Sequence, residues 1–218
     1  MAWEVPIRRV GASLGSGDYD ELRIETERGD VAAREYPAAG ARAGVVLVGG
    51  AGGGWDTPAR GLYPRVAATL ADENVAALRI RFRNPRDLDE ATHDVLAGLS
   101  VLRGKGVRVL GLVGHSLGGA VVIRAAALAD EVRAAVALAT QSLGTDAAPR
   151  LAPRCALLLL HGTADRVLPV ACSEEVYELA HEPKRMHLYE GADHGLEEAA
   201  EQVEREVLGF LRDRLRAA

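Results

Sequence analysis

Six short runs rich in apolar residues are spaced along the chain, and the segments between them carry apolar residues at helical spacing. The runs are "VVLV" (45–48), "VAALRIRF" (75–82), "VRVLGLV" (107–113), "VRAAVALA" (132–139), "CALLLL" (155–160) and "KRMHLY" (184–189). Continuous apolar runs of this length fit strands covered on both faces. Between and after them, Leu62, Val66 and Leu70, then Val95, Leu99 and Leu102, then Leu196, Ala200, Val203, Val207 and Phe210 each form one helical stripe. Strands alternating with helices predict right-handed crossovers and a mostly parallel, doubly wound α/β sheet. Ahead of them, "ELRIET" and "VAAREY" flank the turn signal "ERGD" and predict an antiparallel hairpin at the sheet edge. Ligands of such sheets bind beyond the carboxyl ends of the strands, so chemistry is sought there.

At 218 residues the chain suffices for one domain with a full core, predicted to span 1–218. Its net charge of -5 comes from interspersed acids and bases, which gives no basic stripe and argues against a nucleic-acid partner. No apolar run of signal-peptide length follows Arg8 and Arg9, and "LLLL" (157–160) is too short to span a bilayer; the expectation is a cytoplasmic protein without a membrane role. Cys155 and Cys172 lack metal-binding or CxxC spacing and read as small hydrophobes.

The stretch "LVGHSLGGA" (112–120) places one serine among glycines, between a strand and a helix. Gly114, Ser116 and Gly118 satisfy G-x-S-x-G in the strand–turn–helix setting where the serine hydroxyl is held out at a helix N-terminus. A serine needs a base to take its proton, and the base needs an acid to fix its tautomer. "HGTADRVLP" after one strand supplies Asp165, and "EGADHGLEEA" after the next supplies His194; the order Ser, Asp, His suits hydrolases of this topology. Asp146, on the loop after "VRAAVALAT", is a rival acid, whereas Asp193 adjoins the histidine too closely to turn onto its ring. His115 and His161 are expected to serve packing and backbone hydrogen bonds.

Two backbone N–H groups should receive the oxyanion. Leu117, directly after the serine, is one candidate, and the glycine-rich loop "GGAGGGWDTP" (49–58) supplies the other, with Ala51 the first choice and Gly50 and Gly52 next to it. Gly50, Gly52, Trp55 and Gln141 are expected to line the substrate cleft, with Arg83, Asn84 and Pro85 at its rim. The same loop lacks the Lys-Ser/Thr of a phosphate-binding P-loop and the spacing of a dinucleotide fingerprint.

With "GHSLGG", "HGTADRVLP" and "GADHG" in this order, the chain resembles the α/β-hydrolase superfamily over nearly its full length, and within it the compact dienelactone-hydrolase-like bacterial serine esterases. The resemblance implies a single-domain α/β-hydrolase fold without a cap domain, a Ser116–Asp165–His194 triad, and neither metal nor organic cofactor. Two features depart from it. Gly49-Gly50 stands where many members carry His-Gly, and Ser116 stands where dienelactone hydrolases proper carry a cysteine. The short "QSLGTDAAPRLAPR" (141–154) leaves no room for a helical cap, so the cleft should be open and suited to a small-molecule, short-chain ester. Thioester or peptide hydrolysis on the same machinery, or a non-catalytic binding protein that keeps the fold, are the alternatives.

Overall fold

The computed structural model describes residues 3–15 and 18–216. Nine strands form one sheet: β1 (Ile7–Leu14), β2 (Asp20–Thr26), β3 (Gly29–Tyr36), β4 (Ala43–Val48), β5 (Val75–Arg81), β6 (Val109–His115), β7 (Val132–Leu138), β8 (Ala156–Gly162) and β9 (Lys184–Tyr189). Their order is β1-β2-β3-β5-β4-β6-β7-β8-β9. β1, β2, β3 and β5 pair antiparallel, and β5, β4, β6, β7, β8 and β9 run parallel.

The apolar runs are continuous because both faces of the sheet are covered. In β4, Val46 and Val48 enter a core shared with α2 (Leu88–Gly104) and α3 (Leu117–Leu128), while Val45 and Leu47 enter a second core under α1 (Pro58–Asp72) and α5 (Ala200–Arg216). The predicted stripes face inward: Leu62, Val66 and Leu70 on α1, Val95, Leu99 and Leu102 on α2, and Val203, Val207 and Phe210 on α5 are all buried. Asp87 caps α2 by accepting from the Asp89 and Glu90 amides.

Three features differ from the sequence reading. The expected hairpin is β2–β3, but β1 adds a third antiparallel strand at the edge; its side chains are mostly exposed, so no apolar alternation marks it. A fourth helix, α4 (Ala171–Leu179), buries only Ser173 and Val176 and therefore carries no apolar stripe. Leu196 is buried as expected, but it sits in a left-handed turn (φ 55°), and α5 begins only at Ala200.

The connection from β7 to β8 contains only a 3-10 turn at Ala148–Leu151 and no helical cap. In sequence β4 is followed by β5 on one side and by β6 on the other, so the sheet order reverses at β4. The loops after β4 and β6 therefore open into the crevice where doubly wound sheets bind ligands.

Candidate active site

Ser116 occupies the turn between β6 and α3 with φ 57° and ψ -121°, a backbone region that side chains rarely adopt and that surrounding structure must enforce. Two glycines make that enforcement possible. A Cβ at Gly114 would overlap the Gly118 carbonyl, and one at Gly118 would overlap the Gly49 carbonyl and stand 3.1 Å from that of Val48. The turn is thus packed backbone against backbone, and the Ser116 N–H donates to the Leu138 carbonyl of β7 at 2.8 Å. Every residue from 110 to 123 is buried except Ser116, which is partly exposed.

Asp165 follows β8 on a tight turn. Its Oδ1 accepts from the Val167 and Leu168 amides, both at 2.8 Å, and its Oδ2 accepts from His194 Nδ1 at 2.8 Å. The Asp165 side chain is 0% exposed and that of His194 17%. Burial pushes the Asp165 carboxyl up, but the Leu168 amide, His194 and the Val167 amide together outweigh it and hold the group below the usual carboxylate range. Since Asp165 is a carboxylate, the proton of the shared bond lies on Nδ1, which leaves His194 Nε2 as the basic nitrogen.

The loops that carry these two residues are joined to each other. Thr163 N–H donates to the Tyr189 carbonyl (2.9 Å), Ala164 N–H to the Ala192 carbonyl (3.0 Å) and Gly191 N–H to Thr163 Oγ1 (2.9 Å). Arg166 reaches Asp193 through its backbone N–H (2.9 Å) and Nε (2.7 Å). Asp193 is therefore engaged with Arg166, which holds its carboxyl well below the usual range, and its Oδ1 also accepts from the His194 backbone N–H at 2.8 Å. Asp146 is exposed on the β7–β8 connection, and His194 bonds Asp165.

His115 links the serine turn to the histidine loop. Its Nε2–H donates to the His194 carbonyl at 2.9 Å and its ring lies 4.7 Å from the His194 ring, centroid to centroid. Burial pushes His115 down to about 4, so the ring is neutral at neutral pH. The Ala59 N–H, at the left-handed start of α1, donates to the Gly195 carbonyl at 2.6 Å and closes the loop from the far side.

The glycine-rich loop after β4 comes up beside the serine. Gly50 is buried, and a Cβ there would stand 3.1 Å from Ser116 Cβ and 3.5 Å from its Oγ. Ala51 and Gly52 are exposed on the same turn, which is closed by the Gly53 N–H donating to the Gly50 carbonyl (3.2 Å). Trp55 turns toward the sheet: the Arg34 guanidinium lies 4.2 Å from the ring centroid, and Arg79 Nη2 donates to the Trp55 carbonyl at 2.9 Å. Gln141 is partly buried, and its amide donates to the Leu143 carbonyl at 2.8 Å. Arg83 is drawn toward α2 by Asp94 (2.6 Å) and Glu90 (2.7 Å).

His161 does more than the expected packing. Its Nε2 stands 3.1 Å from both the Leu168 carbonyl and Asp165 Oδ2, and its Nδ1 is 2.7 Å from Ser173 Oγ. The signal was present as an i,i+4 His/Asp pair in "HGTAD", but only the turn brings the two side chains together. Cys155 is buried with its thiol pushed up to about 12, so it is inert as a nucleophile. Among the described residues no group of three or more His, Cys, Asp or Glu is placed to hold a metal ion, and no helix is long and apolar enough to cross a membrane.

The sheet order, the serine turn after β6 and the loops after β8 and β9 make the fold that of an α/β hydrolase. Within that class the chain belongs to the dienelactone hydrolase family, whose family model matches residues 57–207. A dienelactone hydrolase from Anabaena variabilis is similar in structure, with TM-score 0.78 and 20% identity over 91% of this chain and 99% of its own. Est1E from Butyrivibrio proteoclasticus has TM-score 0.77 and 16% identity over 90% and 99%. The esterase domain of a Rhodothermus marinus protein has TM-score 0.74 and 20% identity over 90% and 99%. A search of curated sequences returned no match. The coarse activity class given by the family is that of a hydrolase.

Proposed function

We propose that the protein hydrolyses small or short-chain carboxylic esters through an acyl-enzyme formed on Ser116. Ser116 Oγ attacks the ester carbonyl as His194 Nε2 takes its proton, and Asp165 holds the imidazole in the required tautomer and stabilises the imidazolium. The oxyanion is received by the Leu117 N–H at the start of α3 and by an N–H of the glycine loop, assigned to Ala51. His194 then protonates the leaving alcohol, and water, deprotonated by the same nitrogen, releases the acid. The observation that carries this reading is the 2.8 Å bond between His194 Nδ1 and a buried, ionised Asp165, one loop away from a partly exposed serine on a strained turn.

Support for the ester comes from the family and from the Rhodothermus neighbour, which is described as an esterase domain. Support for a short acyl chain comes from the uncapped β7–β8 connection. Each buried methylene adds roughly 0.8 kcal/mol to transition-state binding, but only while apolar wall remains to cover it. On a p-nitrophenyl ester series kcat/KM should peak at acetate to butyrate and decline by octanoate. Values rising out to palmitate would replace the reading with a lipase or long-chain thioesterase. A fluorophosphonate probe should label the native protein and not Ser116→Ala; an unlabelled native protein would point to a binding protein of hydrolase fold.

A further inference from the structure

We propose that His161 is a positioning residue for the acid–base pair, gripping the Asp165–Leu168 turn so that the Asp165 carboxylate faces His194; the proposal rests on the triad reading above. His161 lies at the end of β8 with its side chain 0% exposed, as is that of Asp165. Its Nε2 contacts two acceptors, the Leu168 carbonyl and Asp165 Oδ2, each at 3.1 Å. Two acceptors against one nitrogen place the proton on Nε2. Nδ1 then bears a lone pair, and the Ser173 hydroxyl, buried on α4, donates to it at 2.7 Å. Ser173 thus fixes the tautomer of His161 as Asp165 fixes that of His194.

The grip acts on both oxygens of Asp165. The peptide unit of Leu168 is held on either side of its residue, its carbonyl by His161 and its N–H by Asp165 Oδ1, so the ring stabilises the turn that supplies Oδ1 with its donors. Oδ2, which accepts from His194, lies against the positive N–H edge of the same ring. Among the described residues no lysine or arginine pairs with Asp165; the nearby Arg166 pairs with Asp193 instead. The buried carboxylate therefore depends on hydrogen bonds and dipoles, and His161 is the part of that set contributed by neither its own turn nor the base. A histidine serving only to fill space would need neither the carboxylate contact nor a dedicated hydroxyl.

His161→Leu keeps the bulk but removes the N–H. Asp165 is then freer to rotate, and its Oδ2, relieved of one positive neighbour, favours the His194 imidazolium more strongly. The acid limb of the pH profile should move to higher pH while kcat falls. His161→Gln carries an amide N–H to the position of Nε2 and should rescue both. Ser173→Ala should lower kcat in the same direction and by less, since the tautomer is no longer enforced.

The experiment measures kcat and KM separately on p-nitrophenyl acetate between about pH 5 and 9, on the full chain. We expect His161→Leu to lower kcat roughly 10- to 100-fold with KM little changed and the acid limb displaced upward, and His161→Gln to stay near the native values. In an Asp165→Asn background His161→Leu should have little further effect, because the residue acts through that carboxylate. A folded His161→Leu with native kcat and pH profile, or an equal loss in both backgrounds, would overturn the proposal. If His161→Leu fails to fold, Ser173→Ala decides alone: native kcat and acid limb overturn the proposal, and a lower kcat with the limb displaced upward supports it. Loss of fluorophosphonate labelling in the native protein would sink the triad reading itself, whereas normal labelling with an indifferent His161 sinks only this one.

Discussion

The proposed acid–base side of the site and the proposed nucleophile side are built from different materials. Asp165 and His194 are held by side chains: a carboxylate gathers two amides and an imidazole, Thr163 and Arg166 cross from one loop to the other, and His161 closes the back. Ser116 and the glycine loop are held by backbone lying against backbone, with Gly114, Gly118 and Gly49 in contact and the serine dihedral forced to φ 57°. A contact made by a side chain is weakened by deleting atoms. A contact made by missing side chains is broken only by adding them.

The largest expected effect is at the point where the two halves meet. On the proposed mechanism Ser116→Ala should lower kcat by about 10³-fold or more while the fold stays intact, because it removes only the oxygen proposed to attack. Activity retained in a folded variant would place the nucleophile elsewhere. Next, Asp165→Asn should cost on the order of 10²- to 10⁴-fold in kcat, whereas Asp146→Asn, on the exposed β7–β8 connection, should change it little. The reverse pattern would move the acid to Asp146 and dissolve the stitched acid–base unit as described.

On the nucleophile side the corresponding test adds an atom. Gly118→Ala sets a Cβ against the Gly49 and Val48 carbonyls, neither of which can rotate away. The cost should be about 3 kcal/mol or more, at the upper end for overpacking, and it is read as a lowered Tm or lost soluble yield. A folded, active Gly118→Ala with native Tm would show that the turn is looser than its contacts imply.

The same contrast accounts for what the sequence made legible. Five of the six parallel strands announce themselves because they are buried almost throughout, whereas β9, at the sheet edge, buries only Tyr189 and is marked mainly by its place in the alternation; the triad candidates stand out because serine, aspartate and histidine at strand ends have few other uses in one ordered set. β1 is silent: with Arg8, Arg9, Val10, Ser13 and Leu14 exposed, its pairing to β2 is carried by backbone bonds that any residues would make. His161 is half legible, since its sequence position is plain but its partners depend on how the Asp165 turn curls. The substrate lining is least legible. Trp55 stands in the sequence only as a loop aromatic, and that its ring carries Arg34 and its carbonyl holds Arg79 depends on how the glycine loop lies against the sheet.

His115 joins the halves and gives the comparison a pH dependence. Its folded-state value, pushed down by burial to about 4, lies below the ordinary histidine value of about 6.5. Below about 6.5 the unfolded chain takes up a proton that the folded chain refuses until about 4, so stability must fall as pH drops through that window. The loss contributed by this one ring should reach roughly 3 kcal/mol at the bottom of the window. Denaturant midpoints of His115→Gln should therefore decline less between those pH values than those of the native protein. Parallel declines would mean that Nδ1, the buried ring nitrogen that takes the added proton and has no hydrogen-bond partner, is charged at little cost, and that the two halves are less dry at their junction than the packing indicates.

The smallest effect is expected where the acid–base stitching is most visible. Arg166 and Asp193 join the two loops through a short ion pair, but the Arg166 side chain is 86% exposed. Exposed pairs contribute little, since water and salt screen them and both side chains lose freedom in forming them. The backbone bonds from Thr163 to Tyr189 and from Ala164 to Ala192 join the same loops without either side chain. Arg166 holds the Asp193 carboxyl below its ordinary range, so whatever stability the pair adds is fully present above the unfolded-state value of about 3.9 and is lost only as pH falls below it, through the folded-state value. The native and Asp193→Asn proteins should thus differ by a constant, small factor in kcat/KM, within about threefold, across the neutral range. A tenfold loss would show that the His194 loop leans on this surface pair rather than on the backbone beneath it, and a ratio that changed with pH between about 5 and 8 would show that Asp193 feels the titration of the neighbouring imidazole.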